Sequence, residues 1–330
     1  MERENQRDIL IAERQMGTPD DTEWIGSCLV RLFNERGHHA ALIHDGPLPT
    51  GRNQTLLFVG NIFWYPQLRR SLECLAKRDR PHVVVWHYEP LPPPDAAGLP
   101  RPRLTFREIA KILLRDRRCT DVYTNYRTIR ELLRKGVINQ LIVTTRGRQD
   151  FLAERGLTSA WVPLGFAPHH GSSLELKRDI DVLFLGMAQV PRRQRILKRL
   201  ESMGLNVVVK GDWHDPDCWG EARTRLLNRT KILLNFPRTE GEMSGLRFIL
   251  GMSNKALVVS EPVYRPDPYT SGVHFLSAPI NEIPEVVEHY LKNEAARAHL
   301  TEAAFAHLHR EVTLERSMEQ LVLLLEQRTT

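Results

Sequence analysis

Residues 230–262 read TKILLNFPRTEGEMSGLRFILGMSNKALVVSEP, and their pattern indicates the fold class of the protein. Its apolar runs at 232–236 and 256–260 are short and end in turn residues, which is typical of strands buried on both faces of a parallel sheet. The segment between the two runs takes up helical spacing near Ser244. A strand, a helix and a second strand in this order predict an open α/β sheet.

The loop that leads into this helix is rich in charge. Arg238, Ser244 and Arg247 lie in the loop or in the first helical turn, beside Glu240 and Glu242. Ligands of open α/β sheets bind at the carboxyl ends of the strands, and a helix N-terminus attracts anions through its free N–H groups. Two arginines and a hydroxyl group at such an N-terminus predict a phosphate or diphosphate pocket.

Length and composition set broad limits on the protein. A chain of 330 residues fits two domains of about 150 residues each, and 42% apolar with 26% charged residues is ordinary for a globular protein. No apolar run approaches the roughly 20 residues that span a bilayer, and no signal peptide is evident, so the cytoplasm is the expected location. The net charge of +6 is compatible with nucleic acid, phosphorylated small molecules or an anionic membrane surface as partner.

Strands and helices alternate along the chain, with one interruption. The first half includes strands at 8–12 and 82–87 and shorter ones near Val122 and at 141–143, and a segment rich in Pro, Gly, Ser and His follows at 162–177. We therefore expect an α/β fold with two doubly wound, Rossmann-like domains facing a cleft, at 1–165 and 166–330, whose last helix is able to pack back on the first domain. A single sheet with one long loop is the alternative.

A second group of candidates follows the strand DVLFLG, which ends in Gly186. A glycine there lets a ligand approach the backbone, and Arg192 and Arg193 begin the next helix, where a guanidinium group suits phosphate oxygens. Further along, Lys210 ends a strand and is a candidate for a phosphate contact, and Trp213 for stacking on a base or sugar. The alternatives are solvated helix charges for the arginines and interdomain packing for Trp213.

Several other patterns have weaker implications. Asp215-Pro216-Asp217 matches the D-x-D that holds a metal–nucleotide complex in some sugar-transfer folds, but it also suits a loop entering a helix. The four cysteines are scattered without ligand spacing, which predicts reduced thiols and no structural zinc. No other metal and no cofactor is expected. The pair His169-His170 lies in the linker and is expected to be exposed to solvent. No G-x-G-x-x-G, P-loop or G-x-S-x-G motif is present.

The first half contributes two candidates for proton transfer. In WHYEPLPPP at 86–94, His87 and Glu89 follow the carboxyl end of a strand. A carboxylate or imidazole in that position is able to act as a general base or to hold an acceptor hydroxyl. The alternative is that Glu89 caps a loop and His87 packs in the core.

Glu242-Met243-Ser244-Gly245-Leu246 resembles the E-x-x-G-L motif of GT-B glycosyltransferases, in particular the group-1-like and CgeB-like sets, and residues 255–259 match the turn and strand that follow it. The resemblance covers roughly 160–325. It implies that Glu242 lies near the donor sugar, that 244–246 approach the diphosphate, and that Gly186 with the two arginines after it forms the first diphosphate turn. The glutamate that normally holds the ribose falls at Leu250, so Glu261 is the substitute candidate.

The resemblance implies a metal-independent transfer of a sugar from a nucleoside diphosphate sugar to an acceptor hydroxyl. Arginines and a helix N-terminus would stabilise the charge on the leaving diphosphate. The acceptor is open among a glycan, a lipid-linked sugar and a small natural product, and contact with a membrane surface is also open. The alternatives are a basic protein that binds nucleic acid or is non-catalytic, although nucleic acid is not favoured because no binding signature appears, and a sugar-nucleotide epimerase of the same architecture.

Overall fold

The computed structural model describes residues 6–14, 25–49, 54–99, 101–102, 104, 106–114, 122–211, 215–237 and 239–326. The described residues form two compact units. The first runs up to Val162 and includes the stretch from Gln320, and the second runs from Pro163 to Glu319. The second part of the last helix is thus grouped with the first unit, in which the Arg7 guanidinium donates to the Leu325 carbonyl at 2.6 Å.

The first unit is built on a parallel sheet of six strands. Their bounds are β1 Asp8–Ala12, β2 His39–Ile43, β3 Gln54–Val59, β4 His82–His87, β5 Gln140–Val143 and β6 Ala160–Trp161. The order across the sheet is β2-β1-β3-β4-β5-β6. The chain passes from β1 to β2 on one side of it and then crosses to β3 on the other side, so the crevice between β1 and β3 is the topological switch point of this sheet.

The helices of this unit are α1 Ile25–Glu35, α2 Pro66–Cys74, α3 Phe106–Leu113, α4 Val122–Arg134 and α5 Arg146–Ala153. Every residue of β4 after His82 is buried, as expected for a strand with both faces covered. The strand expected near Val122 is wrong, because Val122 begins α4. There Val122, Asn125, Ile129 and Leu132 are buried at helical spacing, and this periodicity is the signal that the shorter pattern concealed.

The second unit repeats the arrangement with a parallel sheet of five strands. These are β7 Ile180–Leu185, β8 Val207–Lys210, β9 Thr230–Asn235, β10 Leu257–Ser260 and β11 Leu276–Ser277. The order is β11-β10-β9-β7-β8, so the switch point lies between β7 and β9. The helices are α6 Pro191–Ser202, α7 Gly220–Asn228, α8 Gly245–Ser253, α9 Ile283–Lys292 and α10 Glu294–Glu311. The last helix, α11 Leu314–Glu326, begins in this unit, and its part from Gln320 belongs to the first unit.

The apolar runs that predicted buried strands form the core of this unit. Phe184, Ile232, Leu234 and Val259 are fully buried and pack against helix residues such as Leu200. None of the helices in the described part of the chain is long and apolar enough to cross a membrane. The core fixes the sheet, and the carboxyl ends of β7, β8, β9 and β10 therefore come to one edge.

Candidate functional site

The backbone at the carboxyl ends of β7 and β8 is closely packed. Gly186 has φ of +147°, a conformation that side chains rarely adopt, and its N–H donates to the Lys210 carbonyl at 2.7 Å. A Cβ added at Gly211 would lie 2.2 Å from the Gly186 carbonyl oxygen. These two glycines allow the adjacent strand ends to approach one another closely.

Arg247, in the first turn of α8, joins the two strands of the switch point. Its Nε donates to the Leu185 carbonyl at the end of β7 at 3.1 Å, and its Nη1 donates to Asn235 Oδ1 at the end of β9 at 2.7 Å. Burial, and after it the charge of Arg193, lowers the pKa of Arg247 to about 10, while Glu261 opposes the shift. The guanidinium stays charged at neutral pH, and no carboxylate in the described part of the chain forms an ion pair with it.

Arg193 brings a second guanidinium group to the same place. Its side chain is buried, and Nη1 donates to the Met187 carbonyl at 2.8 Å. The guanidinium carbons of Arg193 and Arg247 lie 5.4 Å and 5.5 Å from the centre of the Phe184 ring. Two cations beside one buried aromatic ring concentrate positive charge, and their repulsion adds to the effect of burial in lowering the pKa of Arg247. An anion bound between them would relieve that repulsion.

Arg192, the neighbouring residue, points to the next strand end. Its Nη1 forms an ion pair with Glu261 Oε2 and lies 3.4 Å from Glu240 Oε1, and Nη2 donates to the Pro237 carbonyl at 3.0 Å. Arg192 is therefore not free to neutralise phosphate in the way that the sequence suggested. Its main role in this structure is to hold Glu261.

Glu261 follows β10 and is almost wholly buried, with 4% of its surface exposed. Burial raises its pKa, and Arg192 opposes that rise. Its Oε1 is buried and has no hydrogen-bond partner among the described residues, so it is available to a ligand hydroxyl. Leu250, where the resemblance would place a glutamate, packs instead in an apolar cluster with Leu233 and Ala256.

Two buried polar residues that the sequence analysis missed connect these groups. Asn235 Nδ2 donates to Ser260 Oγ at 2.8 Å, and the Ser260 hydroxyl donates to the Glu261 carbonyl at 2.7 Å. A continuous set of hydrogen bonds thus runs from Arg247 through Asn235 and Ser260 to the backbone of Glu261. The only sequence signal for these residues is a polar side chain within an apolar run, as for Asn235, or at its end, as for Ser260.

The motif loop lies beside this network. Ser244 precedes the first residue of α8, and its carbonyl accepts from the Arg247 N–H at 3.0 Å, while its hydroxyl forms no capping bond to the helix. Glu242 is buried, and its N–H donates to the Thr239 carbonyl at 3.2 Å. The next residue of the helix start, Gly245, has open space around its Cα, and Leu246 is 45% exposed. Arg238 lies outside the described residues.

Lys210 has partners within its own chain. Its ammonium donates to Asp217 Oδ2 at 2.8 Å and to Asp215 Oδ2 at 2.9 Å, and these bonds raise its pKa. The D-x-D carboxylates therefore hold a lysine, and the ammonium proposed for a phosphate contact is already neutralised. No group of three or more metal-ligating side chains is found in the part of the chain that the structure describes. Trp213 lies outside the described residues.

The first unit gives different answers for its two candidate bases. His87 is fully buried, and burial, with the charge of Arg148, lowers its pKa to about 3. A neutral imidazole without solvent access cannot take a proton from a substrate near neutral pH, so the structure removes His87 as a base and favours the packing alternative. Glu89 is half-buried and interacts with other groups of the chain, and its role as a base stays a prediction.

A different carboxyl group lies at the switch point of the first sheet. Glu13 directly follows β1, is 6% exposed, and lies against Gly26 in α1, whose backbone N–H it accepts. Burial raises the pKa of Glu13 to about 7, against this hydrogen bond. Sequence analysis missed Glu13 because nothing in ILIAER distinguishes it from an ordinary charge at a strand end.

Aromatic rings cover the neighbouring strand end. Gly60 follows β3 with φ of +96°, and a Cβ there would lie 2.7 Å from the Trp64 ring and 2.8 Å from the Tyr88 ring. The two rings meet edge to face at 5.9 Å, and the Arg14 guanidinium lies 5.3 Å from the centre of Trp64. Half-buried aromatic side chains beside a carboxyl group form a surface suited to a sugar ring, which offers apolar C–H faces and hydroxyl groups.

The expectation that His169 and His170 are exposed is wrong. His170 is buried, its Nδ1 accepts from the Ala167 N–H at 2.9 Å, and burial lowers its pKa. His169 is half-buried. The segment rich in Pro and Gly packs against α7 and α8 instead of forming a solvated linker. The Arg223 guanidinium of α7 donates to the His169 carbonyl at 2.8 Å, and the Ser253 hydroxyl of α8 donates to the His170 carbonyl at 3.3 Å.

Comparisons with known proteins agree with this arrangement. Residues 192–322 match the model of the family described as Glycosyl transferase-like. A search of curated protein sequences found no match to the chain.

Several solved structures share the fold across most of the chain. Anabaena HepE, solved with UDP-glucose, matches with a TM-score of 0.61 and 10% identity over 97% of this chain and 99% of HepE. WaaG, a glycosyltransferase involved in lipopolysaccharide biosynthesis, matches with a TM-score of 0.53 and 13% identity over 96% and 99%. TarM, a protein of S. aureus, matches with a TM-score of 0.56 and 14% identity over 90% of this chain but only 57% of TarM. The predicted α/β fold of GT-B type is confirmed.

Proposed function

We propose that the protein is a glycosyltransferase that takes a sugar from a nucleoside diphosphate sugar and transfers it to an acceptor hydroxyl. The observation that carries the proposal is the pair of guanidinium groups, Arg193 and Arg247, beside Phe184 at the switch point of the second sheet. The Glycosyl transferase-like match at 192–322 includes both arginines and supports the same conclusion.

In the proposed reaction, the bond between the anomeric carbon and the diphosphate oxygen breaks, and the leaving diphosphate takes the electron pair. The acceptor oxygen forms the new bond to the anomeric carbon and loses its proton. Negative charge grows on the leaving oxygen, so cations fixed beside it stabilise the transition state more than the ground state. Arg247 is suited to this task because Leu185 and Asn235 hold it in place before the ligand binds.

The unpartnered oxygen of Glu261 extends the proposal to the nucleoside. A ribose hydroxyl that donates to Glu261 Oε1 would satisfy a buried acceptor that the described residues leave open. Since Arg192 already holds Oε2, the carboxylate is oriented before binding. Glu261 would thus replace the glutamate that is missing at Leu250.

The acceptor side of the proposal rests on Glu13, Trp64 and Tyr88. Aromatic rings and a buried carboxyl group at a switch point are suited to a hydroxylated ring. A glycan or a glycosylated small molecule therefore fits better than a nucleic acid, which would need a continuous cationic surface. A carboxylate formed at Glu13 is also able to take the proton of the acceptor hydroxyl.

Ligand-dependent melting tests the donor half of the proposal. UDP, GDP, ADP and dTDP would be compared by thermal denaturation at about 1 mM each, since a ligand that binds only the folded protein raises the melting temperature. We expect at least one nucleoside diphosphate to stabilise the protein. The variant Glu261→Gln should bind that nucleotide more weakly, and its stabilisation by inorganic pyrophosphate should be unchanged. The proposal fails if none of the four stabilises a folded sample.

Turnover tests the reaction type. Release of the nucleoside diphosphate from the matching sugar donor should accelerate when an acceptor glycan is supplied. A sugar nucleotide converted to its isomer without an acceptor would instead identify an epimerase, and this outcome would replace the proposal.

A further inference from the structure

An arginine and a tryptophan stack on one another at the last two strands of the first sheet. Arg146 begins α5 just after the carboxyl end of β5, and Trp161 ends the neighbouring strand β6. The guanidinium carbon of Arg146 lies 3.8 Å from the centre of the Trp161 ring, so the planar cation covers the face of the indole. Neither residue belongs to the donor or acceptor groups described above.

The guanidinium of Arg146 has one nitrogen held and the others without partners. Its Nη1 donates to Gln149 Oε1 at 2.9 Å, and Gln149 Nε2 donates in turn to the Ser159 carbonyl at 3.1 Å. Nε is buried, and neither Nε nor Nη2 has a hydrogen-bond partner among the described residues. Because Nε and Nη2 lie on the same edge of the guanidinium, they present the two parallel N–H groups that bind a carboxylate bidentately.

Trp161 adds another donor at the same place. Its Nε1 is buried without a hydrogen-bond partner in the described part of the chain, and it belongs to the indole that the guanidinium covers. Buried N–H groups almost always have an acceptor, because leaving one unpaired costs as much as a lost hydrogen bond. Unpartnered donors on two side chains in contact therefore indicate an acceptor that a ligand supplies.

Arg155 shows the same stacking in the case where the chain supplies the counter-ion. Its guanidinium carbon lies 3.9 Å from the centre of the Phe151 ring. Its Nη1 lies 3.0 Å from Glu154 Oε2, and its Nη2 lies 3.5 Å from Asp95 Oδ2. Arg146 forms no ion pair with any carboxylate of the described residues. The charge of Arg146 is therefore left for an anion from outside the described chain.

We propose that Arg146 and Trp161 form a binding site for the carboxylate of an acidic sugar. One guanidinium compensates one negative charge, which a carboxylate carries and a phosphate monoester exceeds at neutral pH. If the protein transfers a sugar as proposed above, its acceptor is then an acidic glycan. This last step rests on the proposed function, whereas the carboxylate site itself does not.

NMR of the full chain tests the site through the indole N–H signal of Trp161, which is assigned by its loss in Trp161→Phe. The ligands would be the methyl glycosides of glucuronic acid, galacturonic acid and N-acetylneuraminic acid, with methyl glucoside as the neutral control. We expect at least one acidic sugar to shift this signal and the neutral one to leave it unchanged. Arg146→Gln should bind that acidic sugar at least about tenfold more weakly, since it removes a charged bidentate contact.

The matched control is Arg155→Gln, which removes a stacked arginine that is already paired with carboxylates and should bind like the unaltered protein. The other indole signals report whether each variant is folded. Arg146→Lys is a second variant that keeps the charge but loses the paired N–H groups, so its affinity should fall between those of Arg146→Gln and the unaltered protein.

The titrations separate the possible ligands of this site. Equal binding of neutral and acidic sugars, no binding of any acidic sugar, or unchanged affinity in Arg146→Gln overturns the proposal. So does tighter binding of glucose 6-phosphate than of the acidic sugars, because the anion would then be a phosphate. The assay contains no nucleotide, and Arg247→Lys should bind the acidic sugar normally, so the result is independent of the proposed transfer reaction.

Discussion

Arg247 Nη1 donates to Asn235 Oδ1 at 2.7 Å, and this bond ties a helix start to the end of β9 while Nε reaches β7. The first sheet also has a bond at its switch point, where the Tyr65 hydroxyl lies 3.1 Å from the carbonyls of both Ala12 and Val59. The switch point is thus closed by a neutral phenol in one unit and by a cation in the other. This chemical difference supports the proposal that the diphosphate binds to the second unit.

Replacing Arg247 tests that assignment. Arg247→Lys keeps the charge but loses the planar group that reaches Leu185 and Asn235 together, so the nucleoside diphosphate should bind roughly 10- to 150-fold more weakly, or about 1.5–3 kcal/mol. Isothermal titration calorimetry measures the change. Arg199→Ala, which removes an exposed arginine of α6 that is paired with Glu285, serves as the control and should bind normally. Equal affinity in Arg247→Lys and the unaltered protein would remove Arg247 from the diphosphate site.

The glycine after β7 gives a second prediction. Gly186→Ala places a side chain at φ of +147° and a Cβ 3.2 Å from Arg247 Nη2. The strain should cost about 1–3 kcal/mol and displace the guanidinium, so both the melting temperature and nucleotide affinity should fall. Gly204→Ala is the matched control, because Gly204 also has positive φ (+78°) but open space around its Cα. Gly204→Ala should lower the melting temperature without changing nucleotide affinity. If Gly186→Ala keeps full nucleotide affinity, the ligand does not approach the backbone closely at this turn.

The pairing of Lys210 with Asp215 and Asp217 bears on metal dependence. Since both carboxylates already bind one ammonium, we expect transfer to persist in excess EDTA. The double variant Asp215→Asn with Asp217→Asn should change turnover by less than about fivefold, because partly exposed ion pairs contribute little. Initial rates of nucleoside diphosphate release measure both effects. A loss of about a hundredfold in either experiment would restore the metal–nucleotide interpretation of this motif.

The parts of the structure that could be predicted are those fixed by local pattern. The strands followed from apolar runs, and the meeting of Gly186, Arg193 and Arg247 followed from the rule that parallel strands end at one edge. Asn235 and Ser260 could not be predicted, because their bond depends on the register that places them opposite one another in β9 and β10. The sequence could not reveal this register.

Glu13 escaped prediction for a related reason. The Glu13 side chain is buried because α1 packs against the end of β1. This packing places Gly26 directly over the carboxyl group, although the two residues are well separated in the sequence. Lys210 is the opposite case, a residue that was predicted as a phosphate contact but is paired within the chain. Its sequence neighbours include two aspartates that neutralise it, but the pattern alone gave no means of deciding whether they would bind a lysine or a metal.

The pH dependence of stability tests the environment of Glu13. Its pKa is about 7 in the folded protein against an ordinary value of 4.5, so between these values the folded state keeps a proton that the unfolded chain has released. The free energy of unfolding should therefore fall as the pH rises through this range, by up to about 3 kcal/mol at roughly 1.4 kcal/mol for each pH unit. Glu13→Gln keeps an acceptor for the Gly26 N–H without a titrating group. Its melting temperature should match the unaltered protein at about pH 4 and exceed it increasingly up to about pH 8, and parallel curves for the two proteins would show that Glu13 titrates as an ordinary surface carboxylate.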